Sequence, residues 1–536
     1  MFFIGPLALF ALLCFNPTLT RGQSNATVVL DYGTFNGATN DTSGIVSYLG
    51  VRFADAPVGD LRWRAPVSPP TTHLGEVDAT SYGATCISTS QSSTINFKKT
   101  SEDCLFGNVY VPIGTNTSNP LPVFVFFHGG GYQSGNSHSY TPEWLMQSSA
   151  DPFVFVTFEY RLGQFGFLGG SLLAADGVIN AGLLDQRAAL RWVQRYIGQF
   201  GGDSSRVTIW GQSAGAGSTM FQVMANGGEN EGLFHAAMGD SPSMNYMPLY
   251  NDSYPEELFS RFASLAGCGG LGGDTLACLR AANSTVLTMA GNATIDERTS
   301  TLYPFAPIVD GTFIREGPVE AFTNGRFAKV PVFYGSNTHE GANWSAELPD
   351  PAANTSTPGA TETTTYNFIR GQYGNFTSES FDKALELYPI EDYSNSLVLQ
   401  EQQMYAEMRY ICTAMLVAGS VANAGLAAYL YHYDNPHLGD YHHYELQALF
   451  SSEEPDRTPD ANDEALFETM REYWTSFATL GAPTAGFAPT WQVTTSLSGA
   501  SQRMLLQPGS IHLEDVTDGL NDRCEFWRSL SKELRT

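Results

Sequence analysis

A serine held between glycines is the group in this sequence best suited to nucleophilic chemistry. Residues 211–215 read Gly-Gln-Ser-Ala-Gly; they follow the apolar, β-branched run Val207–Trp210 and precede a stretch that favours a helix. A strand, a sharp turn and a helix in this order are typical of a nucleophile elbow, which lifts a serine hydroxyl above the end of a sheet. Gly211 and Gly215 leave the space that such a turn requires. The pentapeptide predicts that Ser213 is a nucleophile, although the motif alone also arises by chance.

Acyl transfer to a serine also needs hydrogen-bond donors for an oxyanion, and two stretches offer them. The Ala214 N–H would stand at the start of the helix after the turn, where it faces a developing negative charge. Gly129-Gly130-Gly131 follows the apolar run Leu121–Phe127, which predicts a strand buried on both faces of a parallel sheet. A flexible turn is the simpler explanation of a glycine, but three in succession favour N–H groups that approach a substrate closely.

A carboxylate and a histidine are needed to activate the serine. Glu340 follows a predicted strand, although a solvated loop carboxylate is the alternative for this residue taken alone. Of ten histidines, His442 and His443 lie in the loop after a predicted strand at 428–433. His437 with this pair would offer metal ligands, but the irregular loop spacing argues against a metal site. Serine, glutamate, histidine is the triad order of α/β-hydrolases.

Alternating strands and helices must position these groups. Strands are predicted at 109–111, 121–127, 153–160, 207–210, 330–334 and 428–433, and helices at 185–197, 216–225, 400–421 and from Leu466 to a stop at Gly481. The β-α-β alternation favours an α/β fold with a mostly parallel sheet. The region from about 340 to 400 is rich in Thr, Asn and Pro, and we interpret it as loop and cap insertions rather than a linker.

Residues 1–22 predict a secretory signal, because positions 2–15 are almost wholly apolar. No later run reaches the ~20 apolar residues of a membrane span, and the mixed, charged residues 524–536 argue against a lipid-anchor tail. Lys and Arg number 27 against 54 Asp and Glu, a formal charge of −27. Such a chain repels nucleic acid and anionic membranes, so neither is an expected partner. The sequence predicts a secreted, extracellular protein without a stable membrane anchor.

Cysteine usage is consistent with export. Cys14 lies in the signal segment, and the remaining even number suits disulfides in an oxidising compartment, with fifteen pairings open. These cysteines are Cys86, Cys104, Cys268, Cys278, Cys412 and Cys524. No C-x-x-C pair supports metal ligation instead. The N-x-S/T triplets that offer glycosylation sites begin at Asn25, Asn40, Asn116, Asn251, Asn283, Asn292, Asn343, Asn354 and Asn375.

Several blocks together resemble the type-B carboxylesterase/lipase family, which includes cholinesterases and secreted fungal esterases and lipases. The similar blocks are Gly50–Ala54 with Gly59–Arg62, Ser101–Leu105 with Asn108–Tyr110, His128–Tyr132, Phe200–Asp203, Gly211–Gly215 and His442–Phe450. They span nearly the whole chain after the signal. The resemblance implies an α/β-hydrolase fold, with a mostly parallel central sheet, flanking helices and cap insertions, in a single domain over residues 23–536.

The resemblance also implies a role for each site residue. Ser213 would be the nucleophile, Glu340 the triad acid and His442 the base, with N–H donors from Gly130, Gly131 and Ala214. The implied disulfides are Cys86–Cys104, Cys268–Cys278 and Cys412–Cys524.

Two positions depart from the family pattern. His443 stands where the family usually has glycine, which leaves two adjacent histidines as candidates for the base. Gln212 stands beside the nucleophile where the family often has glutamate. A neutral amide removes a negative charge near His442, so the imidazolium is expected to be less stabilised.

These features predict a serine carboxylic ester hydrolase that forms an acyl-enzyme and needs no metal or organic cofactor. The loop 87–103 has three large apolar side chains, Ile87, Ile95 and Phe97, and so offers little surface to an oil droplet. Soluble or short-acyl small-molecule esters are therefore the expected substrates, with a triacylglycerol lipase of the same family as the alternative. A non-catalytic adhesion or binding protein on this fold is disfavoured because all three triad residues are present. A secreted serine peptidase would share the triad, but the resemblance favours esters.

Overall fold

The polypeptide folds around a β-sheet whose middle strands are parallel. A computed structural model describes residues 26–90, 99–270, 274–453, 455–486, 488–494 and 501–536. The strands of this part of the chain are β1 (Ala26–Leu30), β2 (Gly33–Asn40), β3 (Ile45–Arg52), β4 (Glu76–Asp78), β5 (Thr85–Cys86), β6 (Thr100–Ser101), β7 (Phe106–Pro112), β8 (Leu121–Phe127), β9 (Val154–Phe158), β10 (Gly202–Gly211), β11 (Ala236–Asp240), β12 (Val332–Asn337), β13 (Ala428–Tyr433), β14 (Gln502–Gln507) and β15 (Ser510–Asp515). The α-helices are α1 (Glu143–Ser148), α2 (Gly163–Gly166), α3 (Ser171–Asp176), α4 (Ala181–Tyr196), α5 (Ala214–Gly228), α6 (Ser253–Leu265), α7 (Thr275–Ala281), α8 (Ser284–Asp296), α9 (Pro318–Thr323), α10 (Glu362–Gln372), α11 (Ser378–Leu387), α12 (Leu397–Ala406), α13 (Cys412–Asn423), α14 (Leu446–Leu449), α15 (Ala461–Leu480), α16 (Asp518–Ser529) and α17 (Ser531–Leu534).

The main sheet orders its strands β1-β2-β3-β7-β9-β8-β10-β11-β12-β13-β14-β15, with β4 beside β2. Neighbours from β9 to β14 are parallel. Toward both edges the pairs are antiparallel, except that β4 runs parallel to β2. β5 and β6 form a separate two-stranded sheet. The expectation of a mostly parallel central sheet with flanking helices is confirmed.

Strand β8 shows how the sheet divides the interior into two cores. Successive side chains of a strand point to opposite faces. Val123 and Val125 of β8 belong to the core that also contains side chains of α4, α5 and α13. Phe124 and Phe126 belong to a second core with side chains of α15. Every residue of β8 is buried, which is why the sequence there reads as one continuous apolar run.

Most predicted elements are present, with some differences in their limits. β8 and β13 have the predicted bounds. The predicted helix at 400–421 consists of α12, one π turn at Glu407–Ile411 and α13. The region from about 340 to 400, interpreted as insertions, contains the helices α10 and α11. The sequence did not predict the edge hairpins β1–β2 and β14–β15, because their half-exposed strands lack a strong apolar pattern.

The three disulfides join the pairs that the family resemblance implies. They are Cys86–Cys104, Cys268–Cys278 and Cys412–Cys524, with Cα atoms 4.9, 5.7 and 5.2 Å apart. The first closes the loop 87–103, but residues 91–98, which include Ile95 and Phe97, lie outside the described residues. The predicted signal segment 1–22 lies outside them as well. Among the residues described, no helix has the length and apolarity to cross a bilayer.

The candidate glycosylation asparagines differ in accessibility. The exposed ones are Asn40, Asn116, Asn251, Asn283, Asn343 and Asn375, while Asn25 lies outside the described residues. Asn354 is half-buried. Asn292 lies within α8, is 7% exposed, and accepts a hydrogen bond from the Ser90 backbone N–H. A glycan at Asn292 would require this side chain to leave the interior, so the exposed asparagines are better candidates.

We expect Gly215→Ala to destabilise the protein by about 1–3 kcal/mol or more, because the interior there has no room for a methyl group. An added Cβ would lie 1.9 Å from the Phe127 carbonyl oxygen. Gly198→Ala is the matched control, since an added Cβ there meets no atom within 4 Å. Urea unfolding followed by tryptophan fluorescence measures both variants. Equal midpoints for the two would contradict the close contact between β8 and α5.

Candidate active site

The sharp turn predicted from the sequence lies where β10 ends and α5 begins. Ser213 has φ 57° and ψ −120°, a conformation that residues other than glycine rarely adopt. An added Cβ at Gly211 would lie 2.4 Å from the carbonyl carbon of Gly215, so the turn requires both glycines. The Ser213 side chain does not cap α5, and the residue is 8% exposed. The backbone therefore holds this serine in a strained position at the carboxyl end of the parallel strands.

The glycine run that follows β8 packs against the same turn. A Cβ added at Gly129 would lie 3.1 Å from the Ser213 Cβ. Gly130 and Gly131 have φ values of 104° and 62°, which glycine adopts most readily. Ala214 begins α5 immediately after the serine. The three residues predicted to donate N–H groups thus come from two segments that meet at Ser213.

The acid and base candidates are in direct contact. His442 Nδ1 lies 2.5 Å from Glu340 Oε2. The other carboxylate oxygen, Oε1, accepts hydrogen bonds from the Ser241 hydroxyl at 2.5 Å and the Asn337 backbone N–H at 2.7 Å. Glu340 has no exposed surface, and these donors compensate for the loss of water around its charge.

The imidazole of His442 is fixed so that its second nitrogen faces the turn. Nε2 lies 3.5 Å from the amide nitrogen of Gln212, the residue before Ser213. The ring packs at 4.3 Å from the ring of Tyr410 and at 5.5 Å from that of Trp344. Because Nδ1 is bound by Glu340, Nε2 is the nitrogen that can exchange a proton with a serine.

His443 has a different environment from its neighbour. It is exposed, and its ring centre lies 6.5 Å from that of His442. Its φ of 71° is in the left-handed region, which explains in physical terms why the resembling family places glycine at this position. Histidine tolerates that region better than bulkier residues do. Of the two candidates, His442 is the one that contacts Glu340.

Two further carboxyl groups, which the sequence did not single out, lie near this pair. Asp240, at the end of β11, is fully buried and accepts hydrogen bonds from Trp210 Nε1 at 2.7 Å and Tyr431 Oη at 3.1 Å. Glu445 is also fully buried and accepts a hydrogen bond from Asn337 Nδ2 at 2.5 Å. Asp240 and Asn337 end two adjacent parallel strands, β11 and β12. Their positions at the carboxyl ends of these strands are a signal from which sequence analysis could have identified both residues.

Burial raises the pKa of both of these carboxyl groups and so favours their neutral forms. It raises the pKa of Asp240 to about 7, and the hydrogen bonds from Trp210, Trp474 and Tyr431 offset this only in part. Burial also raises the pKa of Glu445 well above its ordinary value, and the nearby Asp240 and Glu340 raise it further. Burial therefore disfavours a charged Glu445, which would compete with Glu340 for the positive charge that forms on His442.

His437 does not join the histidine pair. Its Nδ1 lies 2.5 Å from Asp463 Oδ2, and a ligand atom of Asp460 lies within 4.8 Å of both. Asp463 also accepts hydrogen bonds from Asn435 Nδ2 and the Asp460 backbone N–H. Asp460 and Asp463 form the capping box of α15. This group of residues is therefore explained by helix capping.

The comparisons with known proteins agree with this geometry. The sequence profile of the Carboxylesterase family matches residues 24–527. The chain belongs to the carboxylesterase family. The crystal structure of Aspergillus niger EstA, at 30% sequence identity, superposes with a TM-score of 0.83 and covers 96% of this chain and 99% of that one. The expected family and the expected α/β-hydrolase fold are both confirmed.

Relatives in this family carry the names of lipases and of other hydrolases. "Secreted lipase 1" of Botryotinia fuckeliana is 31% identical over 517 residues, which cover 88% of this chain and 85% of that protein. "Pyrethroid hydrolase Ces2e" of Rattus norvegicus is 30% identical over 86% of this chain and 82% of its own length. "Lipase 1" of Geotrichum candidum is 35% identical over 64% of this chain, and the match spans 66% of that lipase. Membership of this family supports the expected hydrolysis of carboxylic esters.

We expect Asp240→Asn to remove part of the pH dependence of stability. A carboxyl group whose pKa is raised on folding stabilises the protein below its unfolded pKa, and this contribution is lost as pH rises through the folded value. For Asp240 the loss occurs between about pH 4 and its folded pKa of about 7. Asparagine resembles the protonated acid and does not ionise, so the variant should gain stability relative to wild type by a few kcal/mol across this range. Urea unfolding at pH values from 4 to 8 measures it. Parallel curves for the two proteins would show that Asp240 does not ionise in this interval.

Proposed function

We propose that this protein is a secreted serine carboxylesterase that hydrolyses soluble or short-acyl esters through Ser213, His442 and Glu340. The observation that carries the proposal is the 2.5 Å contact between Glu340 and His442 beside the strained turn of Ser213. Residues 1–22 would be a signal peptide, and residues 23–536 would act as one catalytic domain. The family match, which begins at residue 24, and the three disulfides support export.

In the proposed reaction, His442 Nε2 removes the proton from the Ser213 hydroxyl as its oxygen attacks the ester carbonyl. Glu340 holds the imidazole by Nδ1 and stabilises the imidazolium that forms. The resulting oxyanion accepts hydrogen bonds from the N–H groups of Gly130, Gly131 and Ala214, where loss of one donor typically costs about 10²–10³ in rate. The imidazolium then protonates the leaving alcohol, and water activated by His442 releases the acid from the acyl-enzyme.

A lipase acting on insoluble triacylglycerols is the second candidate, and the names of several relatives favour it. Lipases of this kind need a large apolar surface to meet an oil droplet. The loop closed by Cys86 and Cys104, which are only 18 positions apart, is too short to offer a large surface of this kind. We therefore assign soluble esters first and leave insoluble esters to the experiment.

Hydrolysis of p-nitrophenyl esters from acetate to palmitate tests this assignment. A serine carboxylesterase should show the highest kcat/KM on short chains, and Ser213→Ala should lower kcat by about 10⁴ or more. A maximum on long chains, with a rate that rises above the solubility limit, would identify a lipase instead. Folded wild-type protein without activity on any ester would refute the proposed function.

The adjacent histidines provide a matched pair of variants for the same assay. His442→Ala should lower kcat as severely as the serine variant, because residues of a triad act as a unit. His443→Ala should change kcat by only a few fold, since its exposed ring does not contact Glu340. The reverse result would assign the base to His443.

We expect Gln212→Glu to shift the acid limb of the kcat/KM profile to higher pH by about one unit or more. A carboxylate in place of the amide, 3.5 Å from His442 Nε2, favours the imidazolium and so raises the pKa of the base. The pH profile on p-nitrophenyl acetate measures the shift. The control Gln199→Glu adds the same charge at an exposed side chain and should leave the acid limb unchanged. An unchanged limb in Gln212→Glu would mean that the base is not beside residue 212.

A further inference from the structure

A cavity of about 460 Å³ lies next to the candidate active site, and Tyr303 and Arg409 are among the residues that line it. Three arginines line it, Arg298, Arg370 and Arg409, together with a single carboxylate, Asp350. Its volume lies within the range of small-molecule sites in proteins. The cavity therefore combines enough room for a ligand with an excess of positive charge.

Arg409 is a buried cation with an unpaired hydrogen-bond donor. It is 3% exposed, and its Nη2 donates to Asn245 Oδ1 at 2.8 Å. Its Nε has no hydrogen-bond partner among the described residues, and neither has Nδ2 of Asn245, which also lines the cavity. A guanidinium group offers five N–H donors; besides Asn245, the hydroxyl groups of Tyr373 and Tyr410 interact with this one, but Nε is left without an acceptor. An acceptor from outside the protein would relieve this shortage.

Aromatic rings explain only part of this arrangement. The guanidinium carbon of Arg409 lies 4.9 Å from the ring centre of Tyr303 and 5.7 Å from those of Tyr405 and Tyr410. Such contacts stabilise a buried cation. They do not give Nε an acceptor. Arg298 and Arg370 make ring contacts of their own, with guanidinium carbons 4.6 Å from the ring centre of Tyr254 and 5.9 Å from that of Tyr366, but such contacts do not neutralise their charge.

The scarcity of basic residues makes this cluster unusual. The chain has 27 Lys and Arg against 54 Asp and Glu, and most arginines of the described ranges have a carboxylate within 4.0 Å. Six arginines of those ranges have no such pair: Arg298, Arg315, Arg370, Arg409, Arg457 and Arg471. Three of these six line this one cavity. Three arginines without ion pairs around one cavity indicate a site for an anion.

Two contacts connect the lining of the cavity with the proposed catalytic groups. Tyr303 lines the cavity, and its ring lies 2.0 Å from the position that a Cβ on Gly131 would take. Arg409 and Tyr410 are consecutive residues of the π turn; the first lines the cavity and the second packs against His442. Tyr303 therefore contacts both Arg409 and the segment proposed to bind the oxyanion.

We propose that this cavity is a subsite for a carboxylate group carried by the ester substrate. The proposal rests on the ester hydrolysis proposed above and specifies its substrate class: esters in which a second, free carboxylate accompanies the bond that is cleaved. The planar fork of a guanidinium group binds a carboxylate through two parallel hydrogen bonds. The Tyr246, Tyr254 and Tyr303 side chains of the lining would pack against the carbon chain that joins the two groups.

Matched pairs of methyl esters test the subsite by pH-stat titration. Monomethyl esters of straight-chain dicarboxylic acids, from succinate to suberate, are each compared with the methyl ester of the monocarboxylic acid of equal carbon number. At the chain length that spans the distance, the acid-bearing ester should have a kcat/KM higher than its neutral counterpart by about tenfold or more. Equal values at every length, or a uniform preference for the neutral esters, would overturn the proposal.

The variant Arg298→Gln/Arg370→Gln shows whether the cavity causes the preference. It should remove the preference by lowering kcat/KM on the acid-bearing ester alone. These arginines are chosen because Arg409 is buried among tyrosines, where its removal would disturb folding. The control Arg191→Gln/Arg195→Gln removes the same charge at side chains 56% and 55% exposed, outside the cavity lining, and should keep the preference. A preference that survives in the first variant, or is lost equally in both, would place its origin outside the cavity.

Turnover of the neutral esters separates this proposal from the proposed function. A protein inactive on every ester would refute ester hydrolysis, whatever the cavity binds.

Free adipate then distinguishes a substrate carboxylate from an independent ligand. Competitive inhibition of methyl hexanoate hydrolysis by adipate supports the subsite. Calorimetric binding of adipate without such competition would assign the cavity to a separate ligand and overturn the substrate proposal.

Discussion

The contact between His442 and Glu340 imposes the strongest constraint on this structure, because it places a carboxylate charge where no water reaches. An isolated buried charge costs many kcal/mol, so the surrounding chain must supply donors and limit competing charges. Ser241 and Asn337 supply those donors from the ends of β11 and β12. The raised pKa of Glu445 disfavours a second negative charge in the same volume. The arrangement is therefore cooperative, since each group has its position because of the others.

A parallel sheet is well suited to assembling such a group. The strands β8, β10, β11, β12 and β13 lie side by side and parallel, so the segments that leave their carboxyl ends meet at one edge. The glycine run, the elbow, Asp240, Glu340 and His442 come from five such segments. Burial of the strands on both faces fixes their register, and this rigid base allows a strained residue such as Ser213 to persist.

The parts of the site that sequence analysis predicted are those encoded within a few residues. Gly211 and Gly215 mark the elbow because the steric demand of the turn is local. Glu340 and His442 were found through chain order and family resemblance. Asp240, Asn245 and Arg409 were not found, because their importance depends on contacts between residues more than 100 positions apart. The same limit explains which elements of the fold were predicted. Buried strands are recognisable as apolar runs, whereas the edge hairpins and the helices at 362–387 have weaker patterns.

The disulfide between Cys412 and Cys524 has a consequence beyond holding α13 to α16. Cys412 directly follows the π turn that carries Arg409 and Tyr410, and Glu407 at the start of that turn is held by Arg523, the neighbour of Cys524. One covalent bond and one ion pair thus tether the segment that packs against His442 to a helix 112 residues away in sequence. A reductant that cleaves this disulfide would remove the covalent part of this link, and the contact between Tyr410 and His442 would then be held less firmly.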